Sequence, residues 1–408
     1  MVKRTDVIVR PDARVLVLSK RKLHQHVANS CLFEFEDMIA EMDAADLFLP
    51  QYSYDFSIEV FKWVKRFTRS RWLANAVRPD PNRLTLDRDY DLFFTILANP
   101  MDVFQIDSAR HWRRRCQRAA CYVVEAWQSC IEQGWKPLLE FLKEFDHIFL
   151  GVHHSVDLVA EITGRPCSYL PPAVDAIKFC PYPVLPPRSI DITYIGRRSA
   201  ITHQALLQLA EQGKLHYYYD TAQGEVFNVP HPREHRSLLA NLLKRTRYFV
   251  TNLANVDQPE KTGSIQEIGY RFMEGAAAGT VMIGVPPATA MFQRHFDWED
   301  AVIPIPFHVP DIGAVLAELD TQPERLETIR RNNVVNALLR HDWLYRWQQV
   351  LSTLGLEPTA EMQARSAQLQ NLAAAYGDGV AVQPRVSALN GMSRDGQGRL
   401  SASANLLI

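Results

Sequence analysis

One stretch with six prolines in twenty-one residues, YLPPAVDAIKFCPYPVLPPRS (169–189), divides the chain into two runs that read alike. Proline fixes φ and removes a backbone donor, so the stretch suits a linker or domain crossing. Before it, RVLVLS (14–19), ADLFLP (45–50), YDLFFTIL (90–97) and DHIFLGV (146–152) read as short buried strands. Helical patterns separate them: LFEFEDMIAEMD (32–43), one long helix over 58–77, and WKPLLEFLKEF (135–145). The segment 113–127 mixes helix with a strand predicted at Ala120–Val124. After the joint, strands are predicted at 190–196, 214–219, 247–252, 280–285 and 300–305. Helices fall at 203–212, 233–245 and 263–279, and from 311 to about 354. Strands interleaved with helices make βαβ units and parallel sheets.

The fold class expected is α/β: two Rossmann-like, doubly wound domains facing each other across a cleft. Residues 1–172 would form the first and 173–340 the second, with helices over 341–376 packing back and a flexible tail over 377–408. At 408 residues the chain is too long for one ordinary core. A net charge of −1 gives no global field toward nucleic acid or membrane, and no nucleic-acid recognition module is present. The six cysteines show neither C-x-x-C pairs nor zinc spacing and read as reduced thiols. With no apolar leader and no apolar stretch of ~18 residues, a cytoplasmic protein is expected.

Ligands of doubly wound halves sit outside the carboxyl ends of the strands. At that edge of the first strand of the second half stands IGRRS (195–199): Gly196 permits close backbone approach, and Arg197 and Arg198 can neutralise a diphosphate. GSIQEIGYRFMEGAAAG (263–279) follows. Gly263 and Ser264 suit a helix start, where free N–H groups attract phosphate. Glu274, about two turns in, could hold a vicinal diol such as a ribose. Arg271, three residues earlier, can pair with it. Asp220 and Thr221, after YYY (217–219), could line the nucleotide pocket.

These motifs resemble the donor-binding domain of GT-B glycosyltransferases of the "glycosyl transferases group 1" type, in particular the CgeB-like branch. YIGRRS resembles the family's strand and G-R loop, and EGAAAGTVMIG the end of its E-x7-E helix motif. LPPAVD (170–175) is similar to the family's joint, and RHDWLYRWQQVL (340–351) to its terminal helix. The resemblance implies transfer of a sugar from a nucleotide-diphosphate-sugar donor, with retention, without a metal or other cofactor, in polysaccharide biosynthesis. It implies that Gly196, Arg197, Arg198 and the segment from Gly263 to Gly269 hold the diphosphate, and that Glu274 holds the ribose. The first acidic position falls on Gln266, with Glu267 beside it, so either the amide of Gln266 or the carboxylate of Glu267 meets the donor sugar. A non-catalytic nucleotide- or sugar-binding relative, or a nucleotide-sugar epimerase, would share the fold.

For an acceptor-side base the candidates are His24 and His26, His153 and His154, and Glu125, each just after a strand of the first half. The acceptor would be a glycan, a lipid-linked glycan or a small molecule. DRDYD (87–91) contains a literal D-x-D but stands apart from the donor features. Lys62, Lys65, Arg66 and Arg69, and likewise Arg110, Arg113, Arg114 and Arg118, recur at helical spacing. Either stripe is a solvated face or a contact with an anionic acceptor or the inner membrane face.

Overall fold

The computed structural model describes residues 7–82, 84–221 and 227–377. The expected tail beyond Gly377 lies outside them. The strands run β1 (Val7–Ile8), β2 (Val15–Leu18), β3 (Ala45–Phe48), β4 (Leu84–Thr85), β5 (Tyr90–Leu97), β6 (Ala109–Arg110), β7 (Cys116–Val123), β8 (His147–Leu150) and β9 (Cys167–Tyr169) in the first half. In the second half they are β10 (Ile190–Tyr194), β11 (Tyr217–Tyr219), β12 (Thr246–Asn252), β13 (Val281–Val285) and β14 (Ile303–Pro304). The first sheet has the order β1-β3-β2-β5-β7-β8-β9 and the second β11-β10-β12-β13-β14, with only β1 antiparallel. Apart from β1 and the strand added at β9, both follow the doubly wound order 2-1-3-4-5, which places a crevice where the strand order reverses. Those switch points lie between β2 and β5 and between β10 and β12. The paired β4 and β6 form a small separate ladder.

Helices used below are α1 (Ser30–Met42), α2 (Asp55–Thr68), α3 (Arg71–Val77), α4 (Pro232–Leu243), α5 (Tyr270–Ala277), α6 (Pro323–Arg340), α7 (Trp343–Leu354) and α8 (Ala360–Gly377). The inner faces of both sheets share one apolar cluster, from Val15, Phe35 and Phe94 to Phe249, Phe272 and Met282. Helix α7 follows the second half in sequence but packs on the first. Trp343 stacks on Phe35 with centroids 4.4 Å apart, and Trp347 Nε1 donates to Asp43 at 2.7 Å. Beside it the joint is clasped: Val174 bridges Asp342, and the Arg346 guanidinium donates to the carbonyls of Pro171 and Pro172.

Several local expectations change. The single helix over 58–77 is two, because Arg69 turns left-handed (φ 53°) and the Ser70 hydroxyl accepts the Leu73 N–H to start α3. The strand predicted at Ala120–Val124 begins earlier, at Cys116. The 135–145 helix holds α-geometry only over Lys136–Leu139 before tightening into a 3-10 turn. The second basic stripe is no helix face: Arg110 lies in β6, Arg113 and Arg114 in a four-residue helix, and Arg118 in β7.

Small residues let α5 pack closely on its sheet. A Cβ on Gly275 would meet Met282 Sδ at 2.7 Å and Phe249 Cδ1 at 3.0 Å. Gly275→Ala should therefore lower stability by about 1–3 kcal/mol, read from the urea unfolding midpoint. An unchanged midpoint would show that this contact yields freely.

Candidate functional site

The carboxyl ends of both sheets face one cleft. In the second half the loops flanking the switch point are tied together. Asn252, ending β12, donates through Nδ2 to Tyr194 Oη at 3.2 Å and accepts the Val285 N–H at 3.0 Å, which joins β10, β12 and β13. Tyr194 Oη also accepts the Ser199 N–H at 3.0 Å, which curls the loop at Gly196 (φ 81°). The Gly196 N–H donates to both Asp220 oxygens at 3.1 Å, and the Arg198 guanidinium pairs with the same carboxylate. Arg197 reaches across to the loop after β12, to Asp257 Oδ1 at 3.1 Å and Gln258 Oε1 at 3.0 Å. Gly196, Arg197, Arg198 and Asp220 thus form one cluster at the crevice, already arranged around a carboxylate. Thr221 is exposed beside it.

The expected helix start at Gly263 and Ser264 is displaced. Gly263 (φ 61°) instead ends the short helix Pro259–Thr262, and α5 begins only after Gly269. The stretch between them lies over the end of β12, where the Ala254 N–H donates to the Glu267 carbonyl at 3.0 Å. A Cβ on Gly269 would come within 3.3 Å of the Asn252 carbonyl, so glycine lets this close approach occur. No side chain caps α5, which leaves its amino end open to an anion.

Gln266 and Glu267 separate in role. The Gln266 amide oxygen accepts the Ala288 N–H at 2.7 Å and braces the loop after β13. Glu267 is buried, and its carboxylate meets His154 of the first half, with Nδ1 at 3.2 Å and the backbone N–H at 3.4 Å. Burial pushes the Glu267 carboxyl up from its usual range, only partly opposed by His154. The imidazole that makes this contact is that of His154; the His153 ring stands edge-on to Tyr169 at 5.3 Å.

Glu274 is 1% exposed, and both its oxygens are engaged. Arg271 Nη1 donates to Oε2 at 2.6 Å, and Arg236 from α4 pairs with Oε1. Arg236 in turn forks onto Glu34 of α1, with Nε and Nη2 at 3.0 and 2.9 Å. Burial raises the Glu274 carboxyl, but Arg271 and Arg236 overcome it and hold it below its usual range. In this arrangement Glu274 locks the halves together, and the expected ribose contact would require Arg271 to swing away.

On the first half's side of the cleft, Glu125 follows β7 and pairs with Lys261 of the second half. His24 lies in the loop after β2, where burial lowers its pKa against the pull of Asp102. Lys20 and Asp102 pair at 2.6 Å across the first switch point. Residues 25–29 meet 227–229 of the second half: the Val27 N–H donates to the Phe227 carbonyl at 2.9 Å and the Val229 N–H to the Gln25 carbonyl at 2.7 Å. His26 itself accepts the Ala28 N–H. DRDYD lies at the amino end of β5, opposite the cleft, with Asp89 paired to Arg115. Among the described residues no group of three His, Cys, Asp or Glu side chains could hold a metal ion. None of their helices is long and apolar enough to cross a membrane.

Lys20, Asp102, Glu34, Arg236, Asp257, Gln258 and Lys261 were not singled out by sequence. Glu34 and Arg236 are 202 positions apart and Lys20 and Asp102 are 82 apart, so no local spacing announces either pair.

Residues 205–352 match the family described as glycosyl transferase-like, Glyco_trans_1_2. No curated protein matches the chain by sequence. Among solved structures, HepE of Anabaena in complex with UDP and glucose is similar at 12% identity and TM-score 0.50, over 84% of this chain and 99% of that one. A UDP-forming α,α-trehalose-phosphate synthase from Burkholderia vietnamiensis is similar at 11% identity and TM-score 0.50, over 84% and 100%. The fold is GT-B.

Proposed function

We propose that the chain transfers a sugar from a nucleoside-diphosphate sugar to an acceptor bound against the first half. The observation that carries this reading is the gathering of Gly196, Arg197, Arg198 and the open amino end of α5 at one switch-point crevice. Preformed positive charge and backbone donors stabilise the charge that develops on a leaving diphosphate, with no metal required for that task. The diphosphate displaces Asp220 from the Gly196 amide and takes up the Arg198 charge. Glu267, not Gln266, meets the donor sugar: it is the carboxylate in the cleft, whereas the Gln266 amide oxygen is spent on Ala288. Glu125 and His24 stand on the acceptor side. We take the acceptor to be a glycan and the transfer to retain anomeric configuration, which NMR of the first-formed product reads directly.

UDP-glucose and other nucleoside-diphosphate sugars should raise the melting temperature in proportion to log concentration. The shift should persist in EDTA. Arg197→Ala with Arg198→Ala should weaken the effective Kd by roughly 100-fold or more, since charge-assisted hydrogen bonds contribute about 1.5–3 kcal/mol each. No shift with any nucleoside diphosphate at millimolar levels would sink the reading.

A further inference from the structure

We infer that α2 and α3 form a docking face for an anionic lipid surface. The inference stands independently of the sugar-transfer reading. Phe56, Trp63, Phe67 and Trp72 are 72, 64, 67 and 80% exposed, with Leu73 and Val77 beside them. At 100° per residue, Phe56, Trp63 and Phe67 fall within about 40° of one another on α2, a stripe separate from the face buried through Ser57 and Phe61. Trp63 and Phe67 already touch each other, with centroids 4.7 Å apart. A folded chain does not leave four large aromatic rings in water on one pair of short helices without something to cover them.

Charge selects the occupant. Exposed Arg66 flanks the stripe, and exposed Lys62 and Arg69 stand next to it around α2. Glu59 answers only Lys62, in a pair exposed on both sides. A second copy of the same face would oppose like charges across a two-fold axis. An anionic headgroup layer over hydrocarbon matches both parts: aromatic side chains settle at the interface while lysine and arginine meet the headgroups. The chain's net charge of −1 means that this attraction is local to the helix pair.

A cavity of about 440 Å³ lies beside α2. Ile58, Lys62 and Lys65 of α2 line one part of it and Met101 and Cys130 another. Met101 adjoins Asp102, the partner of Lys20, and Cys130 adjoins Ser129, whose hydroxyl donates to the Lys261 carbonyl of the second half.

The test is sedimentation of the full chain with vesicles of phosphatidylcholine alone and of phosphatidylcholine mixed with phosphatidylglycerol. Wild type should sediment with the anionic vesicles and remain largely free with the neutral ones. The combined variant Trp63→Ser, Phe67→Ser, Trp72→Ser should bind at least ~10-fold more weakly, because the buried apolar area is lost. The combined variant Lys62→Glu, Arg66→Glu, Arg69→Glu should lose roughly 100-fold on anionic vesicles alone. The inference is overturned if wild type binds neither vesicle or if both variants sediment like wild type. It is equally overturned if ultracentrifugation shows a dimer that the serine variant splits, with no vesicle binding, which would make a second copy the occupant.

Discussion

Replacing Arg236 by methionine should cost the folded state about 3–5 kcal/mol, the usual penalty for leaving a buried charge without its partner. Arg236 is 3% exposed and joins Glu34 of the first half to Glu274 of the second. Without it Glu274 keeps only Arg271, and Glu34 keeps Lys178 at 3.5 Å, the Asp175 N–H and the Trp343 indole. Chemical denaturation across pH checks both size and sign. In wild type the Glu274 carboxyl is held below its usual range, so its contribution is fully present above about pH 4.3, the ordinary carboxyl value. That contribution is lost as pH falls through the lower folded-state pKa. In the variant Glu274 keeps one of the two arginines that oppose its burial, so less of this contribution remains to be lost as pH falls. The two stability curves should therefore converge on acidification. The triple variant Glu34→Gln, Arg236→Met, Glu274→Gln should recover much of the loss, since a neutral network leaves no orphaned charge. Equal midpoints for wild type and Arg236→Met at pH 7 would refute the lock.

The second large effect is expected at Glu267. Glu267→Gln keeps the shape of the side chain and removes its charge, and should slow sugar transfer by about 10²–10⁴-fold, the range for a positioned acid or base. The melting temperature should hold or rise slightly, because burial already works against the charged form. The raised carboxyl also predicts a pH profile. The rising limb of transfer should stand above the ordinary carboxyl range in wild type and vanish in the glutamine variant. His154→Asn is expected to move that limb upward, since the His154 ring contact that favours the ionised carboxyl is lost. A Glu267→Gln enzyme with wild-type turnover and an unshifted profile would remove Glu267 from the reaction.

The sheet order follows from features legible in sequence. Apolar runs such as YDLFFTIL and RYFVTN are short, β-branched or aromatic, and separated by helical periodicities, so two parallel sheets could be drawn from them. The G-R loop was legible for the same reason, being glycine and paired charge at a strand's end. Glu274 shows where local reading stops. Its spacing from Arg271 announced one ion pair, which forms at 2.6 Å, but nothing near it announced Arg236 or Glu34. Whether a carboxylate faces a ligand or a lock depends on Arg236, 38 positions away, and on Glu34, 202 positions from that arginine. Gln266 and Glu267 differ likewise by one position in sequence and by which half of the molecule they address. The helix start was misplaced because Gly263 and Gly269 are both plausible punctuation, and only the contact with the end of β12 distinguishes them.

The clasp at the joint governs how the cleft can move. The chain passes between the halves near 170–175 and again near 340–343, and these passages lie side by side through the Val174–Asp342 bridge and the arms of Arg346. Two adjacent crossings act like the leaves of a door hinge: they leave one axis of swing and resist twisting. Any movement of one half against the other is thereby confined to that axis.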